Sequence, residues 1–357
     1  MRKGNYSCEV VIPKLKPMKN YVIAFCALFT LVNCNDQNPN TKAYKPHSVG
    51  TQGIIEIVLD EQLWEGRLGE IIKNEVAPMI PYYPNEEYLF DLQHSTKKAF
   101  DMSPKKQRYI IQFIVNPNTT IEPAIDYAKD VWASSQSLIR VIGRNQQDLY
   151  DVFMANSEDI KNHFTQLEIE RLSLDLKADQ NYYAKQELKK KHNLTLTVPS
   201  EMELSINNEN FAALQHLRLV SEKQKSPGDV QQFVLIYHYP YTNQNQLTKE
   251  ALLAKRDSVV KKYFRGVTDD SYMITAPDSL VPSFEKEILF KGVYAYEIRG
   301  LYSMVGDFRG GPFINISLVD EARGRIVTIE GHAFCPKFAK RPYMMELETI
   351  LNSLTFE

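Results

Sequence analysis

The chain is 357 residues long, with 43% hydrophobic and 24% charged residues and a formal net charge of −2. That balance suits a packed core in one large domain or two ordinary ones, and it excludes a disordered or collagen-like polymer. It also removes the electrostatic case for nucleic acid, because a mildly acidic body offers no cationic field to a phosphate backbone.

The chain begins with a basic segment, and Lys19 precedes an apolar run from Tyr21 to Val32 that closes at Cys34. A run of about a dozen residues is too short to cross a hydrocarbon core, which takes roughly 20. It has the length of an export signal, and a cysteine just beyond it has the position of an acylated first residue. Residues 1–33 are therefore read as a lipoprotein signal peptide and Cys34 as the lipidation site, carrying palmitate-type chains. Asn33 departs from the small residue usual before such a cysteine, and an uncleaved tether or simple secretion stay open as alternatives. Pro13 and Pro17 suit no export helix, so Met18 makes a cleaner start than Met1. The polar stretch that follows reads as a lipidated tether over residues 34–50. Removing Met1–Asn33 would take the net charge from −2 to about −6.

Residues 51–192 read as an N-terminal α/β domain and residues 193–357 as a C-terminal α+β domain. Ile54–Leu59 is a strand that meets Asp60 as helix cap, and Trp64, Leu68, Ile71, Ile72 and Val76 follow at helical spacing. Further strands are expected at Tyr88–Leu92, Arg108–Val115 and Ser137–Ile142. From Gln147 to Lys191 neither Gly nor Pro interrupts the chain, which predicts one long or broken helix connecting the two domains. In the second half, strands are expected at Phe233–Tyr239, Tyr272–Thr275, Tyr294–Leu301, Phe313–Val319 and Ile326–Phe334, with Arg323-Gly324 turning a hairpin. Two helices pack on this sheet. One starts at Thr248 and ends in Lys261, Lys262 and Arg265; the other spans Pro342–Leu354.

Alternation gives the hairpin an apolar face of Ile314, Ile316, Leu318, Val327 and Ile329, and a polar face of Asn315, Ser317, Thr328, Glu330 and His332. If Tyr294–Leu301 lies alongside, the expectation is that Tyr294, Tyr296 and Ile298 join the core while Glu297 and Arg299 join the polar face. A solvated sheet face with cross-strand ion pairs accounts for this pattern; a binding face is the alternative. Arg309, beside Gly310 and Gly311, fits either a tight start to a strand or an anion-holding nest. Lys340 and Arg341 place positive charge at a helix N-terminus, against the macrodipole, so an acidic group held there or two exposed basic residues would explain them. Candidate binding residues are thus Glu297, Arg299, Arg309, Glu330, His332, Lys340 and Arg341. His332 and Glu330 lack a third ligand for a metal, no cofactor fingerprint occurs, and Cys335 reads as a small buried hydrophobe rather than a nucleophile.

Ser271-Tyr272-Met273, Tyr296-Glu297-Ile298-Arg299-Gly300-Leu301, Arg309-Gly310-Gly311-Pro312-Phe313, Glu330-Gly331 and Lys340-Arg341 together resemble the Bacteroidota lipoprotein family known as domain of unknown function 4837. The resemblance is taken to run from Gly50 onward, through Trp64, Gly69 and Asp130-Val131-Trp132-Ala133. It implies an envelope lipoprotein and carries over no reaction, ligand or catalytic residue. The expected fold class is α+β, similar to PsbP- and Mog1-like domains. The expected role is a non-enzymatic binding or structural module, anchored to the outer rather than the inner membrane and facing an envelope protein partner. The alternative is a hydrolase or ligand-binding enzyme with Glu297, Arg299, Glu330 and His332 in one cleft.

Overall fold

The computed structural model describes residues 45–118, 120, 122–221 and 226–357. Cys34, the expected signal over residues 1–33 and most of the expected tether lie outside these. The end of that tether is not free spacer: His47 and Val49 bridge to Ser134 and Gln107, so residues 45–50 are bonded to the folded body.

Residues 45–357 form one compact unit built on two sheets. The first contains β1 (Ile54–Val58), flanked by helices α1 (Glu61–Trp64) and α2 (Arg67–Val76), then β2 (Asp91–Ser95), α3 (Lys97–Met102), β3 (Tyr109–Val115), β4 (Ala124–Lys129) and β5 (Ser137–Gly143). Its order is β2-β1-β3-β5-β4, parallel except for β4. Asp60 caps α1 as expected, accepting from the Gln62 N–H, and the helix pattern breaks at Gly66. The expected strand at Tyr88–Leu92 starts later, at Asp91, because the Tyr88 region pairs back with Met79 instead. Ile55, Ile57, Ile111, Ile139 and Val141 form a core with Leu149, Phe153, Ile160 and Phe164 of α4 (Gln146–Ala178).

The long Gly- and Pro-free segment is two helices. α4 ends at Ala178 with Asp179 as its C-cap, and α5 (Tyr182–His192) starts from Asn181, whose side chain accepts from the Ala184 N–H at 2.9 Å. The break divides the packing: most of α4 covers the first sheet, whereas Leu176, Ala184 and Leu188 belong to the core of the second. The segment is thus a packed layer of both cores rather than a connector between them.

After β6 (Leu194–Thr195) come β7 (Glu203–Asn207), β8 (Phe211–Val220), β9 (Gly228–Pro240), α6 (Lys249–Tyr263), β10 (Tyr272–Thr275), β11 (Phe284–Phe290), β12 (Val293–Val305), β13 (Gly310–Asp320), β14 (Arg325–Phe334), α7 (Arg341–Leu351) and β15 (Thr355–Phe356). They build an eight-stranded antiparallel sheet, ordered β10-β12-β13-β14-β9-β8-β7 with β11 also on β12. β6 and β15 pair separately. Thr248 caps α6 through the Ala251 N–H, as the sequence predicts. The molecule is α+β, with α5 and α7 on one face of the large sheet and α6 on the other. Both faces are covered, which sets up the main departure from expectation.

Candidate functional site

The register pairs Asn315 with Glu330 and Ser317 with Thr328, so the predicted polar face exists, but it is not solvated. Glu330, His332, Ser317 and Thr328 are fully buried and Asn315 is nearly so. Helix α6 lies over them and inserts Arg256, itself fully buried. Its Nε and Nη2 donate to the two Glu330 carboxylate oxygens at 2.8 and 2.9 Å, and Nη1 donates to Thr275 at 3.0 Å and Asp257 at 3.3 Å. The guanidinium rests 4.0 Å from the centre of the Phe313 ring. Asn315 donates to Glu330 at 3.0 Å, Ser317 to Asn315 at 3.2 Å, and Ser317 and Thr328 share a bond of 2.8 Å. A charged group can be buried only when it is paired and its remaining bonds are satisfied; this network meets both conditions. Burial is the strongest single influence on the Glu330 carboxyl and pushes it up, but the Arg256 charge, the neighbouring His332 and the Arg256 hydrogen bonds together hold the group down at about 2.

His332 sits at the end of this network among Phe233, Phe264 and Tyr302, with ring centres 5.0 to 5.2 Å away. Its Nδ1 is 3.5 Å from Glu330, and neither ring nitrogen makes a hydrogen bond. Burial lowers its pKa, so the ring is neutral at pH 7. Among the described residues no group of three or more His, Cys, Asp or Glu is placed to hold a metal ion. Cys335 is a buried free thiol, pushed up to about 12 by burial and therefore unreactive.

Glu297 and Arg299 fall on the opposite face. β12 pairs Glu297 with Ile316 and Arg299 with Ile314, so they share the α7 side, while Ile298 pairs with Asn315. The expected parity is corrected accordingly: Ile298 is buried in the apolar cluster on the α6 side, Tyr296 packs against that cluster with its hydroxyl donating to Glu285, and Tyr294 is exposed. The strand's register relative to the hairpin depends on the β12–β13 connection, which alternation within β12 does not fix. Arg299 bonds Glu297 at 2.6 Å, clasps Glu348 of α7 through two bonds of 2.7 and 3.0 Å, and reaches the Tyr82 hydroxyl at 3.3 Å. The four residues expected in one cleft are thus split across the sheet.

Lys340 and Arg341 are buried rather than exposed, and an acidic group does lie at the helix N-terminus. It is Glu87, from the other half of the molecule, whose carboxylate accepts from the Lys340 N–H at 2.8 and 2.9 Å and from the Arg341 N–H at 3.0 Å. Lys340 Nζ is 3.7 Å from the same carboxylate, and Arg341 donates to the Tyr88 carbonyl at 2.8 Å and to Asp91 at 2.5 Å. The cap is a side chain brought in from more than 250 positions away, and it relieves the conflict with the dipole. Gly53, with φ of +75°, lies against the Arg341 guanidinium, where a side chain would be strained by the backbone and would crowd that group. Arg309 is paired within its own turn: its side chain donates to Asp307 at 2.7 and 3.0 Å. Gly311 packs so closely on the Ala333 carbonyl that a Cβ would come within 2.0 Å, which makes Gly310-Gly311 part of a tight strand start.

One sizeable concavity was not foreseen. A groove of about 840 Å³ lies where α6, the end of β9 and the β13–β14 turn converge. One wall is the α6 face of Lys255, Ser258, Val259 and Lys262; the other carries Tyr239, Arg323, Gly324 and Arg325, with Asn210 and Phe211 closing one side. Tyr263 stacks on Phe211 with ring centres 3.8 Å apart. Lys255 Nζ lies 4.6 Å from the Tyr239 ring centre and Lys262 Nζ 4.9 Å from that of Tyr263. Arg325 donates to Asp320 at 2.8 Å, with Arg323 at 3.3 Å from the same carboxylate. His238, also in the groove, is driven down to about 4 by burial, then by the charge of Arg325 and the proximity of His192, and is neutral at pH 7. A second hollow of about 690 Å³, lined by Leu247, Val293, Tyr294 and Val319, adjoins it across Gly324. The sequence signal was present in the i, i+3, i+7 placement of Lys255, Ser258 and Lys262 on a capped helix.

Fold and site together define an α+β protein whose large antiparallel sheet is covered on both faces, with its buried charges paired internally and one basic, aromatic groove left open. Residues 181–353 match the family described as Domain of unknown function (DUF4837). Residues 48–177 match a different one, Domain of unknown function (DUF8532). The family resemblance read from the sequence therefore holds for the second half, while Trp64, Gly69 and Asp130–Ala133 fall in the segment matched by the other family. The two matched segments meet at the α4–α5 break. No curated protein matches the chain. Among solved structures, similarity is found to the Ran-binding protein Mog1p of Saccharomyces cerevisiae, with 9% identity, a TM-score of 0.30, and 46% of this chain and 90% of that chain covered. PsbP (CyanoP) of Synechocystis sp. PCC 6803 is similar at 13% identity and a TM-score of 0.24, over 44% of this chain and 93% of that one. LpqN, involved in cell envelope biogenesis of Mycobacterium tuberculosis, is similar at 13% identity and a TM-score of 0.25, over 45% and 82%.

Proposed function

We propose that this protein is a cell-envelope lipoprotein of a Bacteroidota-type bacterium. In this reading it is held by acyl chains on Cys34, in the outer rather than the inner membrane, with the folded body acting as a non-enzymatic binding module toward an envelope partner. The anchoring half rests on the sequence: a basic start, the apolar run Tyr21–Val32 and a cysteine directly beyond it. Two or more chains give stable attachment where one does not. No helix among the described residues is long and apolar enough to cross a membrane.

The binding half is carried by one observation. The acid, base and guanidinium groups expected in one cleft are locked together under α6 or clasped to α7, while the accessible groove presents lysines, arginines, tyrosines and His238, whose Nε2 is engaged by His192 at 3.2 Å. A general acid or base must come within hydrogen-bond reach of the proton it moves, and Glu330 and His332 would need α6 to lift away. Mass spectrometry of the amino-terminal peptide from the native host tests the anchor. A thioether-linked, acylated Cys34 is expected; a mature chain that begins elsewhere, or an unmodified Cys34 sulfur, overturns it.

A further inference from the structure

We infer that the open groove between α6 and the β13–β14 turn binds a phosphate ester of a small polyol, either as a free sugar phosphate or as a lipid headgroup. This names the ligand of the binding module proposed above and rests on that reading.

The argument begins with which cations are free. Arg323 and Arg325 line the groove but are held by Asp320, and Arg323 also donates to the Glu357 carbonyl. Lys255 and Lys262 have no carboxylate partner among the described residues and lie only against tyrosine rings. Lys255 is half-buried in the groove wall and Lys262 is exposed, and neither ammonium is neutralised by an ion pair among the described residues. Such a charge draws an anion into the groove.

The kind of anion follows from the donors. A planar carboxylate is best matched by a free arginine fork, and the forks here are committed. Two ammonium groups act as point charges and suit the three-sided oxygen surface of a phosphate. They are seven residues apart on one helix face, roughly 10 Å along the axis, with the Ser258 hydroxyl side between them. One lysine can therefore meet the phosphate while the body of the ligand extends along Tyr239 or Tyr263. A glycerolipid would continue past Gly324 into the adjoining apolar hollow at Leu247, Val293 and Val319; a free sugar phosphate would not need it.

The test is titration calorimetry on the purified full-length chain in detergent, using glucose phosphate, short-chain phosphatidylglycerol and unphosphorylated glucose as probes. Saturable binding of at least one phosphorylated probe is expected, weakened about tenfold or more in the Lys255→Gln/Lys262→Gln double variant and retained in Lys255→Arg. Binding of the sugar probe alone assigns a free ligand, and binding of the lipid alone assigns a headgroup. A thermal melt of the double variant matching the parent excludes misfolding; should it not match, the single Lys262→Gln variant, whose site is exposed, carries the comparison. No saturable heat with either phosphorylated probe, equal binding of glucose, or undiminished binding by the lysine variants overturns the inference. Cys34→Ala separates it from the anchor: that variant is expected to lose acylation and keep its titration. A protein that is acylated yet binds neither phosphorylated probe refutes the groove and leaves the anchor standing.

Discussion

Helices α4 and α6 both lie across a sheet and both turn a narrow stripe inward, yet they differ in what meets the sheet. α4 presents Leu149, Phe153, Ile160 and Phe164 to the isoleucines of the first sheet, and its one buried carboxylate, Glu168, is paired with Arg171 of the same helix rather than with a strand. α6 presents Leu252, Arg256 and Val260, and the middle of its stripe is a guanidinium bonded to a carboxylate on the sheet beneath. The apolar contact is non-directional and tolerates adjustment. The ionic one demands a single register between helix and strand, because a one-residue slip would carry Glu330 to the other face.

The largest effect expected from breaking this contrast is at the ionic helix. Arg256→Ala leaves Glu330 buried without its partner and should destabilise the protein by ~3–5 kcal/mol in urea denaturation. Arg256→Met with Glu330→Leu should recover most of that loss, since replacing a buried pair by apolar groups of similar volume is often neutral or favourable. On α4, Phe153→Ala removes a fully buried ring and should cost about 3 kcal/mol, leaving a cavity but no unpaired charge. If the double variant on α6 were as unstable as the single one, the ion pair would not be what distinguishes the two helices.

Acid sharpens the same comparison. Glu330 is held at about 2 in the folded state against an ordinary 4.5, so its contribution is present above pH 4.5 and is lost as pH falls from there toward 2. The loss amounts to about 3 kcal/mol. His332 acts in the same direction at higher pH. Its folded pKa lies below 6.5, so the unfolded chain takes up the proton first and stability starts to decline below that point. Unfolding free energies across pH 7 to 2.5 should therefore fall in two stages, and the Arg256→Met/Glu330→Leu protein should lack the lower one. Next in size, Glu87→Ala removes the cap of α7 and should cost about 2 kcal/mol. Thr248→Ala, at an exposed cap, should cost ~1 kcal/mol by the same measurement.

Much of the fold was readable because several local signals coincided. The Thr248 cap, the hairpin at Arg323-Gly324 and the alternation in β13 and β14 each combine turn chemistry, spacing and apolar pattern. What escaped was of another kind. β8 reads Phe-Ala-Ala-Leu, with no strand-specific pattern, and β11 is a charged edge strand whose alternation is masked by Glu285, Lys286 and Glu287. The polar face of the hairpin was read correctly as a face and wrongly as wet, because nothing within those strands indicates that a helix far away covers them. The clue lay in α6, where Arg256 interrupts an apolar stripe with Leu252 four residues before it and Val260 four after. An arginine in that position calls for an inward acid, and of the two acids expected on the polar face, Glu297 and Glu330, the structure pairs it with Glu330. Lys340 and Arg341 at the start of α7 hinted at an acid, but nothing in the sequence singled out Glu87, which comes from a loop more than 250 positions away.

That clasp has a consequence for how the two halves are inherited. The helix start at Lys340 and Arg341 is complete only when the first half supplies Glu87, Tyr88 and Asp91 to it. A recombinant that exchanged one half for that of a relative would have to import both sides of the joint, or leave two cations stranded at a bare helix end. Natural shuffling across the α4–α5 break should therefore be penalised, so that the two matched segments travel through descent as a single inheritable piece.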